Sequence, residues 1–282
     1  FTDLLNSQSL DEPTIPDGSK YFDVLTYTGT GTTAQSITGL EFQPDWVWIK
    51  SRSFANNHHV FDSIRGVNKI LRPSTTDSED TVSGVMSAFN SDGFTVQEAG
   101  GNNATNDDGS TFVAWCWDAG TSTVTNNDGS ISSQVRASST AGFSIITWTG
   151  TGSNLTIGHG LGVKPTAHIT TARSGSSGCD WFVYFSVLGA EKNLRWNNTS
   201  SLGDTANLYN DTEPTSSVIT IGNSSCINEN GGTYVTYAFS DVEGYCKTGT
   251  YNGNGASNGS FVFLGFRPAW IMVKRTNGTE NW

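Results

Sequence analysis

The sequence predicts an all-β fold of tandem β-sandwich domains, jelly-roll-like, with a third copy that is truncated. Three observations predict it: one motif recurs at a constant internal spacing, turn residues punctuate short alternating runs, and helix-favouring charge is scarce. Charged residues make up 15% of the 282-residue chain, against roughly 25% in an average soluble protein. Glycine is high at 32 residues. Ser, Thr and Asn are abundant, so polarity comes from neutral side chains that suit turns and exposed strand faces better than helix interiors.

The recurring motif sets the organisation. The first copy runs from Tyr27-Thr28-Gly29-Thr30-Gly31 to Phe42-Gln43-Pro44-Asp45-Trp46-Val47-Trp48-Ile49-Lys50. The second runs from Trp148-Thr149-Gly150-Thr151-Gly152 to Val163-Lys164-Pro165-Thr166-Ala167-His168-Ile169. The third runs from Tyr251-Asn252-Gly253-Asn254-Gly255 to Phe266-Arg267-Pro268-Ala269-Trp270-Ile271-Met272-Val273-Lys274. From aromatic to proline the spacing is 17 in each copy (44 − 27, 165 − 148, 268 − 251). The copies start at unequal offsets, which predicts separate domains joined by variable linkers rather than a solenoid of rigid period. Val60–Lys69 matches Val183–Lys192, and Thr111–Trp117 and Thr233–Phe239 are matching closing strands.

Taken in order, residues 1–19 carry Pro13, Pro16 and Gly18 in a polar setting and predict an extended arm from an upstream module. Residues 20–121 are the first repeat, opened by the β-forming run Phe22–Tyr27. Residues 122–140 are rich in Thr, Ser, Asn, Asp and Gly and predict a linker. Residues 141–243 are the second repeat, and 244–282 begin a third. A unit without closing strands cannot bury its sheet, so the native protein is expected to continue past Trp282. The three prolines precede strands, where a missing N–H does no harm. Hairpin signals recur at Asp92-Gly93, Asp108-Gly109, Asp128-Gly129 and Asn230-Gly231. The best helical candidate is a short turn near Thr81–Phe89.

Composition bounds the chemistry. A net charge of −11 repels phosphate backbones and argues against nucleic acid. No apolar run approaches the ~20 residues of a membrane helix, and the first ten residues lack the pattern of a signal peptide. Cys116, Cys179, Cys226 and Cys246 form no zinc-like spacing; free thiols are the plain reading, with a disulfide among the last three left open.

No catalytic, cofactor or metal residue is predicted. Adjacent histidines His58 and His59 would face opposite ways in a strand and are expected to be exposed polar residues. Asn106–Ser110 and Asn126–Ser130 look like calcium loops but lack the spaced ligands and distant Glu, so turn chemistry accounts for them. Asp45 and Asp62 are the acids near aromatics, and their counterparts Thr166 and Phe185 make no acid pair recur. Ser63 and Ser186 recur without a nucleophile elbow. Gly29, Gly31, Gly150, Gly152, Gly253 and Gly255 are followed by no phosphate-binding helix and predict hairpin turns. Trp46, Trp48, Trp115 and Trp117 share strand faces in pairs and predict core packing ahead of a sugar-stacking platform.

These same motifs carry a family resemblance. SITGLEFQPDWVWIKSRS, HHVFDSIRGVNKIL, FNSDGFTV and TFVAWCWDAG in the first repeat resemble a repeat of tail-fibre-like structural proteins of tailed bacteriophages, especially marine ones. GFSIITWTGTGSNLTIGHGLGVKPTAHI, TYVTYAFSDVEGY and SFVFLGFRPAWIMVKRT continue it, and SLDEPTIPDGSKYF resembles the segment that precedes the first repeat, downstream of a SPRY-like sandwich. The resemblance implies a virion component, a fibre or appendage, assembled as an oligomer with trimers favoured. Its partners would be other virion proteins and a host cell-surface glycan, with no catalytic residue. Rival readings are a capsid-decorating protein, a polysaccharide depolymerase and a carbohydrate-binding module.

Overall fold

The computed structural model describes residues 13–31, 34–98, 101, 104–175 and 178–282; residues 1–12 of the expected arm lie outside them. The protein is all-β. Its strands form antiparallel sheets, and the described α-helices are two four-residue turns, α1 (Ala206–Tyr209) and α2 (Ser225–Asn228).

The first repeat supplies β1 (Phe22–Thr28), β2 (Gln35–Thr38), β3 (Trp46–Ser51), β4 (His59–Asp62), β5 (Lys69–Ile70), β6 (Asp80–Thr81), β7 (Met86–Asn90), β8 (Gly93–Val96) and β9 (Thr111–Trp117). One sheet has the order β1-β9-β3-β4, a second the order β2-β8-β7, and β5 pairs with β6. The second repeat supplies β10 (Thr123–Asn126), β11 (Ser133–Ser138), β12 (Phe143–Thr149), β13 (Leu155–Gly158), β14 (Ala167–Ser174), β15 (Phe182–Phe185), β16 (Lys192–Arg195), β17 (Gly203–Asp204), β18 (Val218–Ile221) and β19 (Thr233–Phe239). Its large sheet runs β10-β11-β12-β19-β14-β15-β16-β17, and β13 pairs with β18.

The two repeats share one strand order: first strand, closing strand, proline strand, then the strand after it. Register is shared too. Phe22 faces Trp117 and Thr28 faces Thr111 in repeat 1, as Phe143 faces Phe239 and Thr149 faces Thr233 in repeat 2. The residues after Pro44 and Pro165 are anchored alike: the Asp45 N–H donates to the Trp117 carbonyl and the Thr166 N–H to the Phe239 carbonyl, each at 2.8 Å.

Strand alternation sends each large sheet's two faces to different cores. Val47, Ile49, Phe61, Phe112 and Ala114 pack toward the small sheet of repeat 1. Ile146, Trp148, Tyr184 and Tyr234 pack toward β13 and β18. The opposite faces meet each other. Trp46, Trp48 and Trp117 from repeat 1 and Phe143, Ile145, Val235 and Tyr237 from repeat 2 form one seam, with Trp46 stacked on Tyr237 at 4.7 Å between centroids.

Four expectations are corrected. The repeats are not separate domains on a linker, because the seam joins them. Residues 122–140 are strands: β10 and β11 extend the second sheet, Gln134 facing Thr147 and Ser138 facing Phe143. Hydroxyl-rich composition disguised them, since Ser and Thr suit strands as well as turns. The helical turn expected near Thr81–Phe89 is not helix: β6 ends at Thr81, a turn falls at Ser83–Gly84, and β7 starts at Met86 with a register shift between Met86 and Ala88 that breaks the two-residue period. The third repeat forms no strand among residues 247–282, although Trp270, Met272 and Trp282 pack against the seam. Its proline strand would need a closing strand beside it, and β9 and β19 are both already paired on either edge.

Candidate functional site

The glycine motif resolves into a clamp. In repeat 1 the buried Asn106 accepts the Thr30 N–H on its side-chain oxygen at 3.0 Å and the Gly31 N–H on its carbonyl at 2.9 Å. In repeat 2 Asn228 does the same for Thr151 at 2.8 Å and Gly152 at 2.9 Å. A side chain on Gly29 would meet the Asp107 carbonyl at 2.2 Å, and one on Gly150 the Glu229 carbonyl at 2.3 Å. The glycines therefore serve close backbone approach, and Asn ties the turn to the closing strand.

Around the seam, charge is buried in paired form. Arg65, wholly buried, meets Asp62 at 2.5 Å and Glu79 at 3.1 Å and donates to the Val60 carbonyl at 3.0 Å. Two groups of repeat 2 complete the network: the Tyr237 hydroxyl donates to Asp62 at 2.7 Å, and Arg173 meets Glu79 at 2.8 Å. Burial pushes the Glu79 carboxyl up, but hydrogen bonds from Arg173 and the charges of Arg65 and Arg173 outweigh it and hold it below the usual value. Asp45 bridges the repeats as well, meeting Arg136 at 2.7 Å and accepting the Ala119 N–H at 2.9 Å. Burial leaves its pKa raised in spite of these partners.

Beside Arg173 the second sheet's face emerges from the seam as a shallow groove of about 350 Å³, lined by the polar residues Ser132, Gln134, Thr147, Thr149, Thr233 and Arg173 together with Ile131 and Trp148. Gln134 and Thr149 are exposed there. Hydroxyls, an amide and a guanidinium can exchange hydrogen bonds with a polyhydroxylated ligand; they offer no general acid or base pair. Sequence reading did not find this groove, because its residues come from β11, β12, β14 and β19.

The predicted residues fall out as follows. Asp45 and Asp62 lie in ion pairs inside the fold, away from any cleft. His58 and His59 face opposite ways, but neither is the exposed residue expected. His59 is buried, and His58 accepts the Trp48 indole N–H at 2.9 Å; burial lowers its pKa to about 4. Asn126 and Asp128 form a local turn in which the Asn126 side chain accepts the Asp128 N–H at 2.9 Å. Trp46, Trp48 and Trp117 are buried in the seam with Trp115 half-buried at its edge, so they form no open platform. Cys179 and Cys226 form a disulfide, while Cys116 and Cys246 are free. Among the described residues no group of three His, Cys, Asp or Glu could hold a metal, and no helix is long and apolar enough to cross a membrane.

A family model described as a domain of unknown function, DUF7483, matches residues 17–282. No curated protein and no solved structure matches the chain.

Proposed function

The chain belongs to the DUF7483 family, and for it we propose the role of a non-enzymatic structural protein of a bacteriophage virion, in a tail fibre or surface appendage that contacts host glycans. The observation that carries this reading is the repetition itself: one strand order used twice, with the copies fastened face to face through aromatics and buried ion pairs. Such a body resists bending, which suits a module that must hold a contact surface away from a particle. The resemblance of its motifs to tail-fibre-like repeats supports the placement. The disulfide between Cys179 and Cys226 suits work outside a reducing cytosol.

The polar groove supplies the contact chemistry. A single site of this kind binds weakly, and several on one particle gain avidity without new contacts. Asp45 and Asp62 are engaged by arginines, so the acids nearest the aromatics do not serve a depolymerase. The test is immunogold labelling of purified particles of the encoding phage with antibody to the recombinant chain. Gold on the tail or an appendage is expected. Gold on the shell selects a decorating role, and no labelling overturns the reading. Added protein should also block adsorption, and Gln134→Ala should weaken the block several-fold.

A further inference from the structure

Contacts between repeats recur as faithfully as the repeats do. Trp46, on the proline strand of repeat 1, packs on Phe143 and Phe239 of repeat 2 at 5.6 and 6.1 Å between centroids. These are the start of the first strand and the end of the closing strand. Trp270 stands at the same place after Pro268, and it packs on Phe22 and Trp117 of repeat 1 at 6.2 and 5.7 Å. Phe22 and Trp117 are the start of the first strand and the end of the closing strand there.

A backbone bond recurs in the opposite direction. The Glu79 N–H of repeat 1 donates to the Arg173 carbonyl of repeat 2 at 3.0 Å, and the Leu202 N–H of repeat 2 donates to the Thr276 carbonyl of repeat 3 at 3.0 Å. Arg173 and Thr276 each lie eight residues after their proline (173 − 165, 276 − 268). Glu79 and Leu202 each immediately precede a paired strand, β6 and β17. Repeat 1 thus leans on repeat 2, repeat 3 leans on repeat 1, and repeat 3 bonds back to repeat 2. Head-to-tail contacts make a ring when their rotation closes, and these contacts link repeat 1 to 2, 2 to 3 and 3 to 1.

We propose that residues 244–282 occupy the third place of a pseudo-threefold ring, and that the exposed apolar face of this place is the docking site for one polypeptide strand of the closing-strand pattern. The seam face of its proline segment is already satisfied by Trp270 and Met272. The other face is bare: Ile271 is 66% and Val273 46% exposed, where their counterparts Val47 and Ile49 are 0%. Phe261, at the position of Ile37, is 89% exposed against 6%. In both complete repeats a strand with buried residues at alternate positions, Phe112, Ala114 and Cys116 or Tyr234, Thr236 and Ala238, pairs directly with the proline strand. Residues 270–275 pair with no strand among the described residues. The occupant is therefore one extended segment, Thr-aromatic-Val-x-aromatic-x-aromatic, entering antiparallel to residues 270–275. This inference does not rest on the virion reading.

The intact chain should be mixed with a soluble peptide carrying the sequence of Thr233–Phe239 between lysines and followed by hydrogen exchange. The expected result is one peptide per chain, slowed exchange at residues 270–275, and binding at least ten-fold weaker for a peptide with the alternation shuffled. Ile271→Asp should weaken binding at least ten-fold and leave the unfolding midpoint of the free chain unchanged, since Ile271 is exposed. No protection at 270–275, or equal binding of the shuffled peptide, overturns the proposal. So does sedimentation showing the chain self-associated with residues 270–275 protected, which would make a second copy the occupant, or a homotrimer that buries the seam between chains.

Discussion

Repeats 1 and 2 bring the same strands to the seam in the same register, yet they meet it with different chemistry. Asp62 of repeat 1 occupies the place of Phe185 in repeat 2, each paired with the first residue of its proline strand, Trp46 or Ala167. Asp62 is buried with Arg65 and reached by Tyr237 across the seam, whereas Phe185 is partly buried with Trp282 at 6.4 Å between centroids. Trp46 likewise stands where repeat 2 has Ala167. The frame, made of strand order, register and the Asn clamp, is common to both. The residues on the seam face differ because each repeat meets a different neighbour. Identity of fold is carried by backbone geometry, and individuality by what lies across each interface.

Removing the ionic contact should have the largest effect. Arg65→Met leaves Asp62 buried without its partner, and breaking a buried pair in this way costs about 3–5 kcal/mol. Urea unfolding of the intact chain should show that loss, with Asp62→Asn in the same chain restoring part of it. If Arg65→Met is neutral, the two interfaces do not differ in the way described.

Reduction of the disulfide tests the other side. Cys179 and Cys226 close a loop of sequence separation 47 in repeat 2, and repeat 1 has no counterpart. A native disulfide of this size contributes about 2–4 kcal/mol, chiefly by restricting the unfolded chain. Reductant should lower the unfolding free energy by that amount and move the urea midpoint down with it. Amide exchange should rise in β14, β15 and α2 before it rises in the first repeat.

The clamp should behave alike in both repeats. Asn106→Ala and Asn228→Ala each remove the side-chain acceptor of a backbone N–H, that of Thr30 or Thr151, at about 0.5–1.5 kcal/mol each. Equal losses would show that the turn is one device used twice. A large difference would break the equivalence.

Much of this was legible in the residues. The constant 17-residue spacing gave the repeats, and the alternation in Thr111–Trp117 and Thr233–Phe239 gave the closing strands. The Asn clamp was missed although a signal existed: each Asn lies five residues before the Thr that opens its closing strand (111 − 106, 233 − 228). The pairs Arg136–Asp45 and Arg173–Glu79 had no such signal. Each joins different repeats at long separation, and pairing across a seam depends on how two sheets face each other, which period-two patterning does not specify. The groove was hidden for the same reason, and β10 and β11 were hidden by a composition that suits loops as well as strands.

The last comparison concerns one position inside each repeat's own core. Val47 in repeat 1 corresponds to His168 in repeat 2, both facing away from the seam. His168 is fully buried, stacked on Tyr184 at 4.8 Å and edge-on to Tyr209 at 5.0 Å between centroids. Burial first, and then the nearby His159, lower its pKa to about 3. An unfolded histidine titrates near ~6.5, so between pH 6.5 and about 3 the unfolded chain takes up a proton that the folded one refuses. Stability from this group is therefore intact above that window and falls as the pH drops through it, by up to about 1.4 kcal/mol per pH unit. His168→Val, which installs the residue repeat 1 already uses, should flatten the fall in urea midpoint between pH 6.5 and 4. His58 and His159, also held below their usual values by burial, should keep some slope in the variant. An unchanged slope would mean that His168 is protonated in the folded core, and the aromatic cage around it would then have to hold a cation in place of a neutral ring.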